Sequence, residues 1–207
     1  MVKRVKRYDG VVRAGVIVFV LAALALAPVQ ASAAGAKETV EVQVNKVLKA
    51  LADPGFKDQP RDAKIAKIRS IVNEIFDYGE LSKRTLGREW AKFNAEQQNE
   101  FVKLFGDLLE KTYADRLLSY SNEKVVFDKE TSLRDDQTEV SSNILTGDGK
   151  KIPLDYRLIR KDGNWRVYDV IIEGISLVKN YRDQFRDILA KDSPEDVLKI
   201  LRDRAAK

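Results

Sequence analysis

The side chains best suited to acid–base chemistry in this sequence are Asp169 and Tyr156, in two predicted strands of the C-terminal third. If Asp169 shares a strand face with Trp165 and Val167, with Tyr156 beside it, the pair could exchange protons inside an apolar pocket. Asp169 also has a simpler role open to it, since a carboxylate can pair with an arginine or cap the turn at Gly174. We favour this simpler role.

Histidine and cysteine are both absent from the 207 residues. Their absence removes the usual general base, the commonest metal ligand and the Ser-His and Cys-His nucleophile pairs. We therefore expect no metal, no cofactor and no catalysis. An exported domain without cysteine also folds without disulfides and depends on its hydrophobic core.

The first 33 residues have the pattern of a secretory signal peptide. Five basic residues precede an uncharged apolar run from Ala14 to Ala27, and Ala31-Ser32-Ala33 offers an A-x-A cleavage site. The run is shorter than the roughly 20 residues that cross a bilayer comfortably; an uncleaved membrane anchor is the alternative. We expect export, removal of residues 1–33, and one mature domain of residues 34–207.

The net charge of the mature chain argues against nucleic acid as a partner. The full sequence carries 37 basic and 32 acidic residues, a net charge of +5. Residues 1–33 hold five of the basic residues and one acidic residue, so the mature domain has a net charge of only +1. A nucleic-acid-binding domain normally shows a strong basic stripe.

Helical periodicity dominates the first half of the mature chain. Helices are predicted over residues 38–52 and 60–76, with short helical turns over 77–93 and a long helix over 94–122. Asn94 and Gln97 have capping-box spacing at the start of the long helix. Gly106 lies inside that helix, which indicates either a tolerated glycine or the close approach of another element.

Four strands are predicted after residue 123, over 124–130, 138–146, 151–159 and 164–172. The Asp162-Gly163 pair is a strong signal for a tight turn between the last two strands, so the four form an antiparallel meander. One glycine joint then leads into a helix over 177–185, and a last helix begins at Pro194 with Ser193 as its N-cap. This order predicts an α+β domain, with a four-stranded antiparallel sheet packed against several helices.

Apolar side chains are expected to line the space between this sheet and the helices. They come from the strands, the long helix and the stretch after the glycine joint, and include Phe101, Phe105, Val140, Leu154 and Val178. Periodicity alone does not separate a filled core from a lined cavity, and a filled core is the more common outcome.

Two strings in this region also carry a family resemblance, LGREWAKFNAEQQNEFVKLFGDLLEKTYADRLLSY and IPLDYRLIRKDGNWRVYDVIIEGISLVKNYRDQF. Behind an export signal, and in this order, they resemble the MlaC family of periplasmic phospholipid-binding shuttles, also called toluene-tolerance auxiliary proteins. The resemblance extends over about residues 38–205.

The resemblance implies an NTF2-like cone whose apolar cavity holds lipid acyl chains. The residues expected to line it are Phe105, Leu108, Leu109, Tyr113, Leu117, Val140, Ile144, Leu154, Tyr156, Leu158, Trp165, Val167, Ile175 and Tyr181. Arg84, Arg88 and Arg182 are candidates to meet a phosphate head group at the mouth.

The resemblance also implies partners and a cellular location. A monomer in the periplasm would exchange phospholipid with an outer-membrane lipoprotein complex and with an inner-membrane ABC transporter that carries MCE-domain subunits. The alternatives are a carrier of hopanoid or another apolar ligand, an Asp/Tyr enzyme in an NTF2-like pocket, and a structural adaptor with a filled core.

Overall fold

The computed structural model describes residues 35–120 and 123–206, so the predicted export segment over 1–33 lies outside the described residues. The elements follow in the order α1 (Ala36–Ala52), α2 (Pro54–Lys57), α3 (Arg61–Asn73), α4 (Tyr78–Leu86), a 3-10 helix (Gly87–Lys92), α5 (Ala95–Leu118), β1 (Lys124–Arg134), β2 (Gln137–Leu145), β3 (Lys151–Lys161), β4 (Asn164–Ile172), β5 (Ile175–Ser176), α6 (Leu177–Leu189) and α7 (Pro194–Ala206). This architecture confirms the predicted α+β class.

The helix boundaries follow local capping chemistry. Asn94 and Gln97 form the predicted capping box at the start of α5, with reciprocal hydrogen bonds of 2.9 and 3.1 Å. Ser193 and Asp196 form a similar reciprocal pair at the start of α7. The predicted long helix was too long at its end, because α5 stops at Leu118.

The sheet has five strands, not the predicted four, in the order β1-β2-β3-β4-β5 with antiparallel neighbours. The fifth is a two-residue strand, where Ile175 and Ser176 pair back onto Ile172 and Ile171. The turn at Glu173-Gly174, with φ angles of 51° and 81°, makes this reversal. Periodicity missed it because two residues are too few to show an alternation.

A bulge in β4 overturns the predicted face of Asp169. Arg157 pairs with Asp169 and the next residue, Leu158, pairs with Val167, so β4 carries one extra residue at this point. Such a bulge breaks the strict alternation of side chains. Asp169 therefore does not share a face with Trp165 and Val167, as the sequence pattern had suggested.

The core consists of two main clusters. The sheet-face cluster lies between one face of the sheet, α1 and the start of α6, and its buried members are Ala36, Val40, Ile75, Val140, Tyr156, Leu158, Trp165, Val167, Val170 and Leu177. The helical cluster lies among α4, α5, α6 and α7, and its buried members are Leu81, Leu86, Phe93, Phe101, Phe105, Leu108, Leu109, Val178, Tyr181, Phe185, Leu189, Val197, Leu198 and Leu201. Phe76 and Tyr113 pack against both clusters.

Candidate functional site

The apolar interior against the sheet is built mainly by α1. Ala36, Val40 and Val44 recur every four residues along α1, and this spacing puts them on the side of the helix that meets the sheet. The sequence pattern predicted lining residues on the long helix and on the stretch after the glycine joint and none on α1, but α5 packs chiefly on α7, α4 and α3. The spacing of Ala36, Val40 and Val44 shows in the sequence that α1 has an apolar face, but it does not show that this face meets the sheet.

The residues expected to line a cavity divide between the two clusters. Val140, Tyr156, Leu158, Trp165 and Val167 lie in the sheet-face cluster, with Leu154 packed against it. Phe105, Leu108, Leu109 and Tyr181 lie in the helical cluster, and Tyr113 borders both.

Three of the expected lining residues lie elsewhere. Leu117 and Ile175 are 40% and 61% exposed, so the structure places them at the surface and not in the apolar interior. Leu117 follows the last buried turn of α5, and Ile175 belongs to the short edge strand β5. Ile144 is half-buried and belongs to neither cluster.

Two polar atoms are embedded in the sheet-face cluster. Burial raises the pKa of the Tyr156 hydroxyl above its ordinary value, because desolvation disfavours the ionised form. The Nε1–H of Trp165 is buried and has no hydrogen-bond partner among the described residues. An apolar ligand that carries acceptor oxygens would satisfy such a donor.

Asp169 holds the strand-to-helix joint together. It is 1% exposed, accepts hydrogen bonds from Ser176 Oγ at 2.6 Å and from the Val178 amide at 3.0 Å, and lies 3.6 Å from Arg157 Nη1. The predicted pairing with an arginine is confirmed, and the carboxylate caps the start of α6 and not the turn at Gly174. Tyr156 lies on the opposite face of the sheet, so the structure does not assemble the Asp/Tyr pair of the enzyme hypothesis.

A polar pocket of about 360 Å³ lies on the Asp169 face of the sheet, across the sheet from Tyr156, where β4 meets α4 and α6. We call it the arginine pocket, because Arg84, Arg134, Arg157 and Arg182 line it together with Tyr168. The structure thus brings together two of the three head-group candidates, Arg84 and Arg182, and leaves Arg88 exposed outside the lining. Sequence reasoning missed Arg134, Arg157 and Tyr168, since only the sheet register brings them together.

Within the described ranges, no three His, Cys, Asp or Glu side chains are grouped so that they could hold a metal ion. No helix in the same part of the chain has the length and apolar character needed to cross a membrane.

The sequence and the fold match those of known proteins. A sequence profile described as the MlaC protein family matches residues 41–203. The chain belongs to the MlaC family. This confirms the resemblance in the sequence, and the match spans all the elements from α1 to α7.

Two MlaC-type relatives and one solved structure are similar to the chain. The intermembrane phospholipid transport system binding protein MlaC of Haemophilus influenzae is 31% identical over an alignment of 169 residues that covers 75% of this chain and 79% of that protein. A toluene tolerance protein of Pseudomonas putida is 27% identical over 60% of this chain and 59% of its own. The phospholipid-binding protein of Ralstonia solanacearum, solved in complex with a phospholipid, matches 84% of this chain and 98% of its own, with 27% identity and a TM-score of 0.76.

Proposed function

We propose that this protein binds phospholipid and carries it between membranes as a non-enzymatic shuttle. The observation that carries the proposal is the match to the whole Ralstonia solanacearum protein, whose structure was solved with a phospholipid bound. The Haemophilus influenzae relative, named for intermembrane phospholipid transport, supports the same function.

The acyl chains are proposed to lie against the sheet-face cluster. Two acyl chains contain about 30 methylenes, and each methylene costs roughly 0.8 kcal/mol when it is exposed to water. Exposure of both tails would therefore cost about 24 kcal/mol. Val140, Leu158 and Val167, each at most 1% exposed, belong to an apolar interior without charge. An apolar site of this kind resembles a bilayer interior, so lipid can leave it for a membrane with a small net change in free energy.

The proposed location and partners rest on the resemblance to the MlaC family. We propose that residues 1–33 direct export to the periplasm, where the monomeric mature domain exchanges lipid with an outer-membrane lipoprotein complex and an inner-membrane ABC transporter with MCE-domain subunits. Arg84, Arg88 and Arg182 are proposed as head-group contacts.

Mass spectrometry of an organic extract of the purified protein tests the cargo directly. The expected result is phospholipid in near-stoichiometric amount. A hopanoid as the main species would support the alternative cargo, and an extract without lipid would refute the shuttle.

Paired variants on β3 test the location of the tails. Leu158→Asp places a carboxylate in the sheet-face cluster, whereas Ile159→Asp places the same carboxylate on the opposite face of the same strand. We expect the Leu158 variant to lose co-purified phospholipid about ten-fold or more while the Ile159 variant retains it. Circular dichroism checks that both fold. Equal lipid content in two folded variants would contradict the location.

A further inference from the structure

The arginine pocket has the concave shape of a ligand site and is separate from the apolar interior. Its volume of about 360 Å³ falls within the range of small-molecule pockets, about 300–1,000 Å³. Arg157 and Tyr168 belong to its lining, whereas the flanking Leu158 and Val167 belong to the sheet-face cluster. The sheet therefore stands between the two regions.

Three of its arginines are held in place by the fold. Arg182 donates from Nε and Nη2 to the carbonyl oxygen of Arg84, at 3.0 and 2.6 Å. The Arg84 guanidinium lies 3.9 Å from the centre of the Tyr168 ring and its Nε donates to Glu80 at 2.7 Å. Since these contacts fix the side chains before a ligand arrives, little side-chain entropy is lost on binding.

Arg157 is the third fixed side chain. Its Nε donates to Glu139 at 2.9 Å, and its Nη1 lies 3.6 Å from Asp169. A guanidinium has five N–H donors, so Arg157 and Arg182 each keep several donors beyond those that anchor them. Forked donors of this type match the oxygens of phosphate.

The charge around the pocket favours an anion. Its lining includes five cations, which are the four arginines and Lys179, and one carboxylate, Asp169. Even when Glu80 and Glu139 are included, the net charge is +2. The Asp169 carboxylate is already occupied by Ser176 and Val178, and no acidic side chain within the described residues forms an ion pair with Arg134, Lys179 or Arg182.

We propose that the arginine pocket binds a phosphate group, either as a free phosphate ester or as the head group of a lipid. Arg182 and Arg157 donate to its oxygens, and Lys179 and Arg84, which is held against the Tyr168 ring, add positive charge. The proposal does not depend on the lipid function, because a water-soluble phosphate ester suffices to occupy the pocket.

Isothermal titration calorimetry of the purified protein with inorganic phosphate and with sn-glycerol 3-phosphate tests the site. We expect saturable binding at low ionic strength that weakens near 0.15 M salt, where the Debye length falls to about 8 Å. Arg182→Gln keeps a donor for the Arg84 carbonyl but loses the forked cation, and should weaken binding about ten-fold or more. The matched control is Arg186→Gln, one turn further along α6 and paired with Asp183 outside the pocket, which should bind like the wild type.

Loading the protein with phospholipid separates the two sources of the phosphate. If bound lipid blocks sn-glycerol 3-phosphate, the head group is the occupant; if the ester still binds, the pocket serves a soluble phosphate. Either result supports the proposal. Dissociation constants weaker than about 10 mM for both probes, or equal losses in the Arg182 and Arg186 variants, would overturn it. Binding of an acidic peptide without binding of either phosphate would overturn it too, whereas the lipid extract decides the shuttle independently.

Discussion

Replacement of Asp169 with alanine tests whether one carboxylate holds the joint between β4 and α6. Asp169 accepts two hydrogen bonds, from Ser176 Oγ and from the Val178 amide, at 2.6 and 3.0 Å. Ser176 in turn caps α6, because its Oγ accepts from the Lys179 amide at 3.0 Å. The substitution therefore removes the acceptor that orients the cap.

The expected loss of stability follows from these contacts. The Val178 amide is buried, and an orphaned buried donor costs about 1–3 kcal/mol. Loss of the charge-assisted hydrogen bond from Ser176 adds about 1.5–3 kcal/mol. The total is about 2.5–6 kcal/mol, which lowers the melting temperature by about 5–24 °C in a domain of this size. Asp169→Asn keeps an acceptor for Val178 and should lose only about 1–2 kcal/mol.

Urea unfolding at neutral pH, followed by circular dichroism, measures these differences. The control is Asp155→Asn on β3, because the Asp155 side chain makes no hydrogen bond or ion pair within the described part of the chain and lies next to the same strand. The reasoning would be refuted if Asp169→Ala unfolded within about 0.5 kcal/mol of this control, a difference typical of surface substitutions.

Three further predictions concern pH, packing and cargo. Burial opposes ionisation of Asp77, but hydrogen bonds from the Glu80 amide and Lys161 lower the pKa of its carboxyl group below 3.8. The carboxylate therefore stabilises the fold above pH 3.8, and this contribution is lost as the pH falls through the folded pKa. Urea titrations should show that the Asp77→Asn variant loses less stability in acid than the wild type. Gly106→Ala should stabilise α5 by up to about 1 kcal/mol in thermal unfolding, because alanine is the better helix former. The added methyl group would lie 3.4 Å from the Tyr78 ring and fits there, whereas the larger side chain of Gly106→Leu should destabilise the packing. Removal of bound phospholipid should lower the melting temperature, since a ligand at 100 times its dissociation constant contributes about 2.7 kcal/mol; an unchanged temperature would favour a filled structural core.

Local chemistry made the helices and most strands predictable. Asn94, Gln97 and Ser193 act within one turn of their own backbone, and the alternation of Leu154, Tyr156 and Leu158 is a property of a single strand. Signals of this kind depend on neighbours in the chain, so the sequence displays them directly.

Gly106 shows how far such a signal reaches. A glycine inside a helix predicted either tolerance or the approach of another element, and the ring of Tyr78 does lie there. The sequence could not name Tyr78, because the two residues are neighbours only after α4 packs on α5.

The functional regions depend on contacts between distant segments. The sequence by itself determined the family, the α+β class and the apolar content of the interior. The family is recognised from two continuous strings of residues, and the class and the interior are predicted from hydrophobic periodicity. Tertiary structure alone decided that α1 covers the sheet, that the bulge turns Asp169 away from Val167, and that Arg84, Arg157 and Arg182 converge on one pocket. The physical reason is that a one-residue change in strand register moves a side chain to the other face, and such register is set by pairing between strands, which no single segment specifies.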